Sequence, residues 1–138
     1  MTTVKTAAER DFAAIKELYE SAFPENERRP LEPMLRDFSG RTTIYTAWDD
    51  GEFAGFAIAL TWRDILHIIY FAVRSEMRNR GIGAETLRLI REENPSMRIL
   101  VDVERPDPAL PDNPTRLRRI GFYERCGYEK TSVGYALW

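Results

Sequence analysis

The fold of this chain is decided by the stretch Ile68-Ile69-Tyr70-Phe71-Ala72-Val73-Arg74-Ser75-Glu76-Met77-Arg78-Asn79-Arg80-Gly81-Ile82-Gly83-Ala84. Its apolar beginning, 68–73, predicts a strand, and the amphipathic residues after the glycines predict a helix that ends near Asn94-Pro95. A short basic loop joins the two. Backbone N–H groups at the start of a helix have no helical acceptor, and the helix dipole adds positive potential there, so this order of elements favours a bound anion.

Glycine and arginine give the loop the chemistry of a phosphate site. Gly81 and Gly83 let a phosphate approach the main chain without a Cβ in the way, while Arg78 and Arg80 supply charge and hydrogen-bond donors. No Gly-Lys-Ser/Thr sequence follows, so the loop is not a P-loop, and the third glycine of a dinucleotide fingerprint is missing. The loop chemistry alone supports two interpretations equally, a phosphate site and an ordinary strand-to-helix turn with solvated arginines.

Two motifs in this chain resemble those of the GNAT superfamily of N-acetyltransferases. The first, at 78–83, fits the Arg/Gln-x-x-Gly-x-Gly/Ala signature, and the segment before it, 70–73, is similar to the family's splayed fourth strand. The second, at 119–128, is similar to the Phe-Tyr-Glu-x-x-Gly-Tyr/Phe motif on the family's last helix. Two motifs in the right order are much more specific than either one alone.

The resemblance implies a fold, a cosubstrate and an activity. The fold would be one α/β domain over 1–138, with a mixed, mostly antiparallel central sheet flanked by helices and with splayed central strands. The activity would be the transfer of an acetyl group from acetyl-CoA to a primary amine of a small molecule or peptide, by direct attack in a ternary complex. A non-catalytic acyl-CoA-binding module of the same fold is the alternative. The implied cofactor-binding residues are Phe71, Ala72, Val73, Arg78, Asn79, Arg80, Gly81, Ile82, Gly83 and Ala84.

Tyr123 and Glu104 are the catalytic candidates. The resemblance makes Tyr123 the acid that protonates the CoA thiolate as it leaves, and the plainer interpretation is a half-buried tyrosine with its hydroxyl in water. The amine acceptor must also lose a proton. Glu104, at a strand end beside the implied cleft, is a candidate base, although a solvated carboxylate fits its position equally well. His67 is a weaker candidate base, because a lone histidine on an apolar strand is more often a satisfied core residue.

Composition excludes several other classes of protein. The 138 residues suit a globular domain, with 43% hydrophobic and 12% aromatic residues. A net charge of −2 provides no field that would attract nucleic acid or an anionic membrane, so neither partner is expected. No secretion signal or membrane-spanning stretch is recognisable, and the expected location is cytoplasmic. A single cysteine, Cys126, and a single histidine predict no metal site.

Periodicity and turn residues predict the other elements. In chain order they are a strand at 4–6, helices at 9–22 and 30–38, a hairpin of strands at 41–48 and 52–61, a strand at 65–73, the helix after the loop, a strand at 98–104, a helix from Asn113-Pro114 to about Cys126, and a strand at 128–137. In the resemblance, the segment 25–29 borders the acceptor pocket, although a solvated loop is the plainer interpretation.

The C-terminal region departs from the family pattern. The family usually has two strands after the tyrosine-bearing helix, whereas only about ten residues follow Tyr128, which is room for one strand. That predicted strand carries Val133, Tyr135 and Leu137 on one face, and no charge after Lys130 protects its edge. We therefore expect a homodimer in which this shortened C-terminal strand region meets a partner chain, with Trp138 in or beside the contact.

Overall fold

Two compact units make up the chain, Met1–Asp102 and Val103–Trp138. The computed structural model describes residues 1–37, 39–103 and 106–130. In these residues the first unit holds a sheet and three α-helices, and the second holds one α-helix. The expectation of one domain over 1–138 stays a prediction.

The sheet of the first unit is mixed. Its strands are β1 (Thr2–Thr6), β2 (Thr42–Asp49), β3 (Glu52–Trp62), β4 (Ile65–Val73) and β5 (Arg98–Val101), in that spatial order. Only β4 and β5 pair in parallel, which confirms the predicted mixed, mostly antiparallel sheet. The β2–β3 hairpin closes through Asp50 and Gly51, both at positive φ, as an Asp-Gly turn requires.

Three helices belong to the same unit: α1 (Phe12–Ala22), α2 (Leu31–Leu35) and α3 (Ile82–Glu93). The first is shorter than predicted, because Glu9–Asp11 forms a separate 3₁₀ turn in which the buried Asp11 carboxylate accepts from the N–H of Ala8 at 2.8 Å. The second is also shorter than predicted, and the predicted end at Phe38 lies outside the described residues.

One face of the sheet packs against α1, and the other carries α3. The first cluster joins Ile15, Leu18 and Tyr19 of α1 to Ile44, Phe56, Ile58, Tyr70 and Ala72 of the sheet. On the opposite face, Val73 packs with Ala54, Met77 and Ile82, the first residue of α3. The strand β4 therefore contributes to both cores, which explains why it is apolar on both faces.

A β-bulge interrupts the ladder between β3 and β4. Tyr70 lies opposite Ile58, and Ile68 lies opposite Ala59, so Ile69 is an extra residue in β4. Because adjacent residues of β3 point to opposite faces, Tyr70 lies on the α1 face and Ile68 on the α3 face, although they are two apart in sequence. Before the bulge, the odd-numbered residues of β4 lie on the α1 face of the sheet, and after it the even-numbered residues do.

The ends of β3 and β4 approach each other closely at Gly55. A Cβ on this residue would lie 2.3 Å from the carbonyl oxygen of Ala72, a distance that a backbone neighbour cannot accommodate. Only glycine therefore lets the two strands remain paired up to Val73, where the loop begins.

The second unit is described by itself through its helix, α4 (Asn113–Arg125). The residue before it, Asp112, occupies the N-cap, which corrects the prediction that Asn113 would be the cap. Asn113 has a different task, because its side-chain oxygen accepts from the N–H of Asp107 at 2.7 Å and so braces the preceding proline-rich loop.

The end of α4 agrees with the prediction. Gly127 adopts a φ of 93°, and its N–H donates to the carbonyl of Glu124 at 3.0 Å, while the N–H of Tyr128 donates to the carbonyl of Tyr123 at 3.0 Å. These two bonds form a Schellman motif, in which a left-handed glycine satisfies the last helical carbonyls.

Two predicted strands are affected by the limits of the described residues. β5 ends at Val101, earlier than the predicted end at Glu104, and Glu104 itself lies outside the described residues. Of the predicted strand 128–137, the first three residues are not in a strand and the rest lie outside the described residues. No helix in the described ranges combines the length and the apolarity needed to cross a bilayer.

Candidate functional site

The strands β4 and β5 separate halfway along β4. Their parallel ladder ends where Ile68 lies opposite Val101, whereas β4 continues to Val73 and stays paired with β3 as far as Gly55. In the described part of the chain, no strand pairs with 69–73 on the β5 side. We call this opening the notch. The separation of the two strands agrees with the splayed central strands that the resemblance implies. Backbone groups along such an edge can pair with an extended ligand as they would with another strand.

The notch leads directly into the glycine loop. After a 3₁₀ turn at Ser75–Met77, Asn79 and Gly81 take positive φ values of 66° and 74°, and Gly81 is the N-cap of α3. Glycine offers no capping side chain, and the first bond of the helix runs from the N–H of Glu85 to the carbonyl of Gly81 at 3.1 Å. The N–H groups of residues 82–84 thus have no acceptor within the helix, which is the arrangement in which a helix N-terminus favours an anion.

The predicted loop residues lie where an anion can reach them. Arg78, Asn79, Arg80, Gly81 and Ala84 are exposed, Gly83 is half-buried in the first turn of α3, and Ile82 is buried in the core beneath. On the strand end, Phe71 and Val73 are half-buried and Ala72 is buried. Arg80 lies 3.9 Å from Asp49 and is still 56% exposed, so its guanidinium can turn toward a ligand.

Arg74 has a structural task that sequence reasoning missed. Its guanidinium donates to the carbonyl of Phe53 at 3.0 Å and lies 3.7 Å from Glu52 and 3.3 Å from Glu76. The pKa of Glu76 is lowered, first by a hydrogen bond from its own amide and then by Arg74. Arg74 therefore fastens the start of the loop to β3, and Arg78 and Arg80 are the arginines directed to solvent.

His67 has a carboxylate partner in the structure. Its Nε2 lies 2.8 Å from Oδ2 of Asp102, and the two side chains are 23% and 20% exposed. The plainer interpretation, a satisfied core residue, agrees only in part, because the ring has a hydrogen-bond partner but is not in the core, and the identity of that partner was not predicted. Asp102 follows β5 directly, and the β4–β5 register brings it to His67.

Two tyrosines attach the segment between α1 and α2 to the α1 face of the sheet. The Tyr70 hydroxyl accepts from the N–H of Arg29 at 3.0 Å and donates to the carbonyl of Glu27 at 3.0 Å, and the Tyr19 hydroxyl donates to the carbonyl of Arg29 at 2.6 Å. Burial, followed by the contact with Tyr70, raises the pKa of Tyr19 above its usual range. We call these three bonds the tyrosine clasp. It makes the segment an ordered border of the α1 face.

The second unit carries Tyr123 near the end of α4. The residue is half-buried, and its ring packs edge-on against Tyr128 at 5.5 Å between centroids, which complements the Schellman motif. Cys126 is the C-cap of the same helix, as predicted, and is half-buried. The catalytic roles of Tyr123 and Glu104 stay predictions. Among the described residues, no group of three or more His, Cys, Asp or Glu side chains is arranged to hold a metal ion.

A mixed, mostly antiparallel sheet that divides between β4 and β5 and is flanked by helices is an α/β fold that solved acetyltransferases share. The chain belongs to the acetyltransferase (GNAT) family, whose sequence model matches residues 12–128. The predicted resemblance is therefore confirmed, and family membership supports acyl transfer as the general activity.

Solved structures with the same fold extend this result. A protein from Bacteroides thetaiotaomicron described as a GNAT-family acetyltransferase is 29% identical, with a TM-score of 0.74 over 89% of this chain and 69% of that one. The ribosomal-protein-S18-alanine N-acetyltransferase of Escherichia coli is 20% identical, with a TM-score of 0.72 over 96% and 80%. An aminoglycoside acetyltransferase from an uncultured soil sample, solved with sisomicin, is 15% identical, with a TM-score of 0.72 over 99% and 95%. No curated protein sequence matches the chain.

Proposed function

We propose that this protein is an N-acetyltransferase that moves the acetyl group of acetyl-CoA to a primary amine by direct attack in a ternary complex. The observation that carries the proposal is the continuity of the notch and the glycine loop. One segment, 69–84, presents a strand edge that no described strand covers and then a helix N-terminus without a capping side chain, in the order in which pantetheine and pyrophosphate follow each other in CoA.

The proposed contacts with acetyl-CoA are mainly with backbone. Pantetheine amides would pair with the main chain of Phe71 and Val73, on either side of Ala72, as an added strand pairs with a sheet edge. The pyrophosphate would lie at residues 78–84, where the N–H groups of the first turn of α3 point outward and Arg78 and Arg80 add charge. Because pantetheine would contact only the main chain of β4, its binding needs no particular side chain on that strand.

The proposed chemistry requires one proton donor and one proton acceptor. The amine nitrogen forms a bond to the thioester carbonyl carbon, the C–S bond breaks, and the sulfur leaves with the electron pair. Tyr123 is the proposed donor to that sulfur, and Glu104 is the proposed base that the sequence favours. If the protein were only an acyl-CoA-binding module, it would bind the thioester in the same way and need neither residue.

The acceptor is proposed to be a primary amine on a small molecule or on a peptide. The solved relatives include proteins named for aminoglycosides, for a ribosomal-protein alanine and, in Arabidopsis thaliana, for glucosamine 6-phosphate. Their identities to this chain are 20% or lower, so we use them to choose a test panel. The panel is sisomicin, a peptide that begins with alanine, and glucosamine 6-phosphate, together with the simple diamine putrescine.

Binding and turnover should be measured separately. Acetyl-CoA at a hundredfold excess over its Kd is expected to stabilise the native protein by about 2.7 kcal/mol, seen as a rise in Tm. Release of CoA thiol with at least one amine of the panel would support the enzyme. Binding without any thiol release would instead favour the binding module, and no binding at millimolar acetyl-CoA would reject both.

A further inference from the structure

The closed end of the notch carries the histidine–carboxylate pair described above. The last residues joined by the β4–β5 ladder are Ile68 and Val101; His67 precedes Ile68 on β4, and Asp102 follows Val101 directly after β5. Their side chains meet at 2.8 Å, and each is about four-fifths covered, with exposures of 23% and 20%. The pair therefore lies where the two strands begin to separate, sheltered from bulk water but accessible to it.

The β-bulge determines the face on which this pair lies. His67 is opposite Leu60, and Tyr70 is opposite Ile58. Since Leu60 and Ile58 are two residues apart on β3, they share a face, and His67 and Tyr70 share it too. Tyr70 belongs to the core against α1 and to the tyrosine clasp, so His67 lies on the side of the sheet that the 25–29 segment borders.

The hydrogen bond also defines the tautomer of the neutral ring. A carboxylate oxygen only accepts, so Nε2 of His67 must donate its proton to Asp102. The lone pair of the neutral ring then resides on Nδ1. A carboxylate behind one nitrogen orients the ring and stabilises the positive charge that appears when the other nitrogen takes a proton.

We propose that His67 is the base that accepts the proton of the amine acceptor, and that Asp102 positions it. This inference rests on the proposed function and replaces Glu104 in the role of base. An ammonium group gives one proton to Nδ1, and its nitrogen then attacks the carbonyl carbon. The C–S bond breaks and the sulfur takes a proton from Tyr123, the second proton of the new amide nitrogen passes through water to reprotonate Tyr123, and the imidazolium returns its proton to water.

Several other charged or titratable groups lie on the surrounding described elements. Asp64 and Arg98, at the ends of the turn and of β5, pair with each other at 3.0 Å, and Arg28 lies 3.7 Å from Glu20. The remaining ones are Arg63 in the β3–β4 turn, Tyr19, Tyr70, Glu27 and Arg29. Among the described carboxylates, Asp102 contacts the imidazole at 2.8 Å, so its removal should alter the ring directly.

The chain offers a direct readout, because His67 is its single histidine. In tag-free protein, the ¹⁵N NMR signals of the imidazole report its tautomer and need no assignment. In Asp102→Asn the ring should lose its fixed Nε2–H tautomer, since an amide can donate to that nitrogen as well as accept from it. Asp64→Asn is the matched control, because it removes a carboxylate from an exposed ion pair near β5 and should leave the tautomer unchanged.

Kinetics with an active amine of the panel give the second readout. His67→Gln should lower kcat/KM at neutral pH by about 10²–10⁴-fold and remove the acidic limb of the pH–rate profile, while the Kd of acetyl-CoA stays unchanged. In Asp102→Asn kcat/KM should also fall, because the ring is no longer held in the tautomer that presents the Nδ1 lone pair. This second variant keeps the test decisive if His67→Gln does not fold.

Three results would overturn the inference. They are a His67→Gln enzyme with the wild-type pH–rate profile, an acidic limb that disappears in Glu104→Gln instead, and a ring tautomer that does not respond to Asp102→Asn. Failure of the proposed function looks different, because wild-type protein would then bind no acetyl-CoA or release no thiol with any amine, and the inference would fall with it.

Discussion

Gly81 is the residue on which the phosphate site depends most. Its φ of 74° is costly for any residue with a Cβ, and an added Cβ would meet no atom within 4 Å, so it would project into the space of the loop. The need for glycine before a helix could be predicted from the sequence, because strand, glycine and helix follow one another within a few residues.

Gly81→Ala should therefore have two separable effects. Left-handed backbone costs a residue with a side chain about 1–2 kcal/mol of stability. The Kd of acetyl-CoA should rise by about tenfold or more, equivalent to at least about 1.4 kcal/mol, because the methyl group occupies the approach to the N–H groups. Calorimetric titration and thermal unfolding measure the two effects.

Gly40→Ala is the matched control for this change. Gly40 has a φ of 84° and equally open surroundings, but it lies before β2, away from the loop. It should lose stability as Gly81→Ala does and keep the wild-type Kd. Equal Kd values for both alanine variants would show that the pyrophosphate lies elsewhere.

Tyr123 is the second residue whose proposed role can be isolated. Tyr123→Phe keeps the ring contact with Tyr128 and removes only the hydroxyl, so the cap of α4 should persist. If the hydroxyl protonates the leaving thiolate, kcat should fall by about 10²–10⁴-fold, with the Kd of acetyl-CoA unchanged.

Tyr128→Phe provides the comparison for Tyr123→Phe. It removes the other hydroxyl of the same ring pair and should leave kcat unaffected. Steady-state kinetics with thiol detection, under conditions where chemistry limits the rate, distinguish the two variants. A Tyr123→Phe enzyme as fast as Tyr128→Phe would exclude the proposed acid.

The contact between Asp102 and His67 could not be predicted from the sequence. Asp102 follows β5 as an ordinary polar residue, and nothing in its neighbours indicates a partner 35 residues earlier. Its contact with His67 depends on the register of a parallel pair, which the sequence of either strand leaves open.

At the scale of elements, most strands and helices could be predicted because their patterns are local. The bounds of β4 agree with the prediction, and the hairpin turn and the end of α4 are determined by Asp-Gly and Gly signals. The bulge could not be predicted. Burial alternates without interruption along β4, although the residues before and after Ile69 are buried on different faces.

The tyrosine clasp gives the element-scale prediction. Tyr70→Phe removes the acceptor of the Arg29 N–H and the donor to the Glu27 carbonyl. The two bonds are only partly buried, and a typical hydrogen bond contributes about 0.5–1.5 kcal/mol, so the free energy of unfolding should fall by about that amount for each bond lost. Amide exchange at Arg29 should accelerate, because its hydrogen bond is lost.

Tyr45→Phe is the suitable control for the clasp. Tyr45 is a buried β2 residue whose hydroxyl accepts from Asn94 at 3.0 Å, at the end of α3. It should lose stability without changing exchange at Arg29. Unchanged exchange at Arg29 in Tyr70→Phe would mean that the segment is held by other contacts.

At the scale of the whole molecule, the expected assembly is still to be tested. The predicted strand 128–137 lies largely outside the described residues, so the expectation of a homodimer rests on sequence alone. Light scattering at micromolar concentration should give twice the monomer mass. Val133→Lys, which places a charge on the predicted edge, should shift the protein toward monomer. A monomer mass for the wild type would refute the dimer.

Because of the bulge, the face on which a β4 residue lies cannot be read from its position in the alternating pattern alone. With Ile69 present, His67 and Tyr70 lie on one side of the sheet although one residue number is odd and the other even. Deletion of Ile69 would remove the extra residue and leave His67 and Tyr70 two positions apart, so both should remain on the α1 side of a ladder that is now regular. The imidazole should therefore keep its contact with Asp102 in the deletion variant, and loss of that contact would show that Ile69 is not the residue that the ladder leaves unmatched.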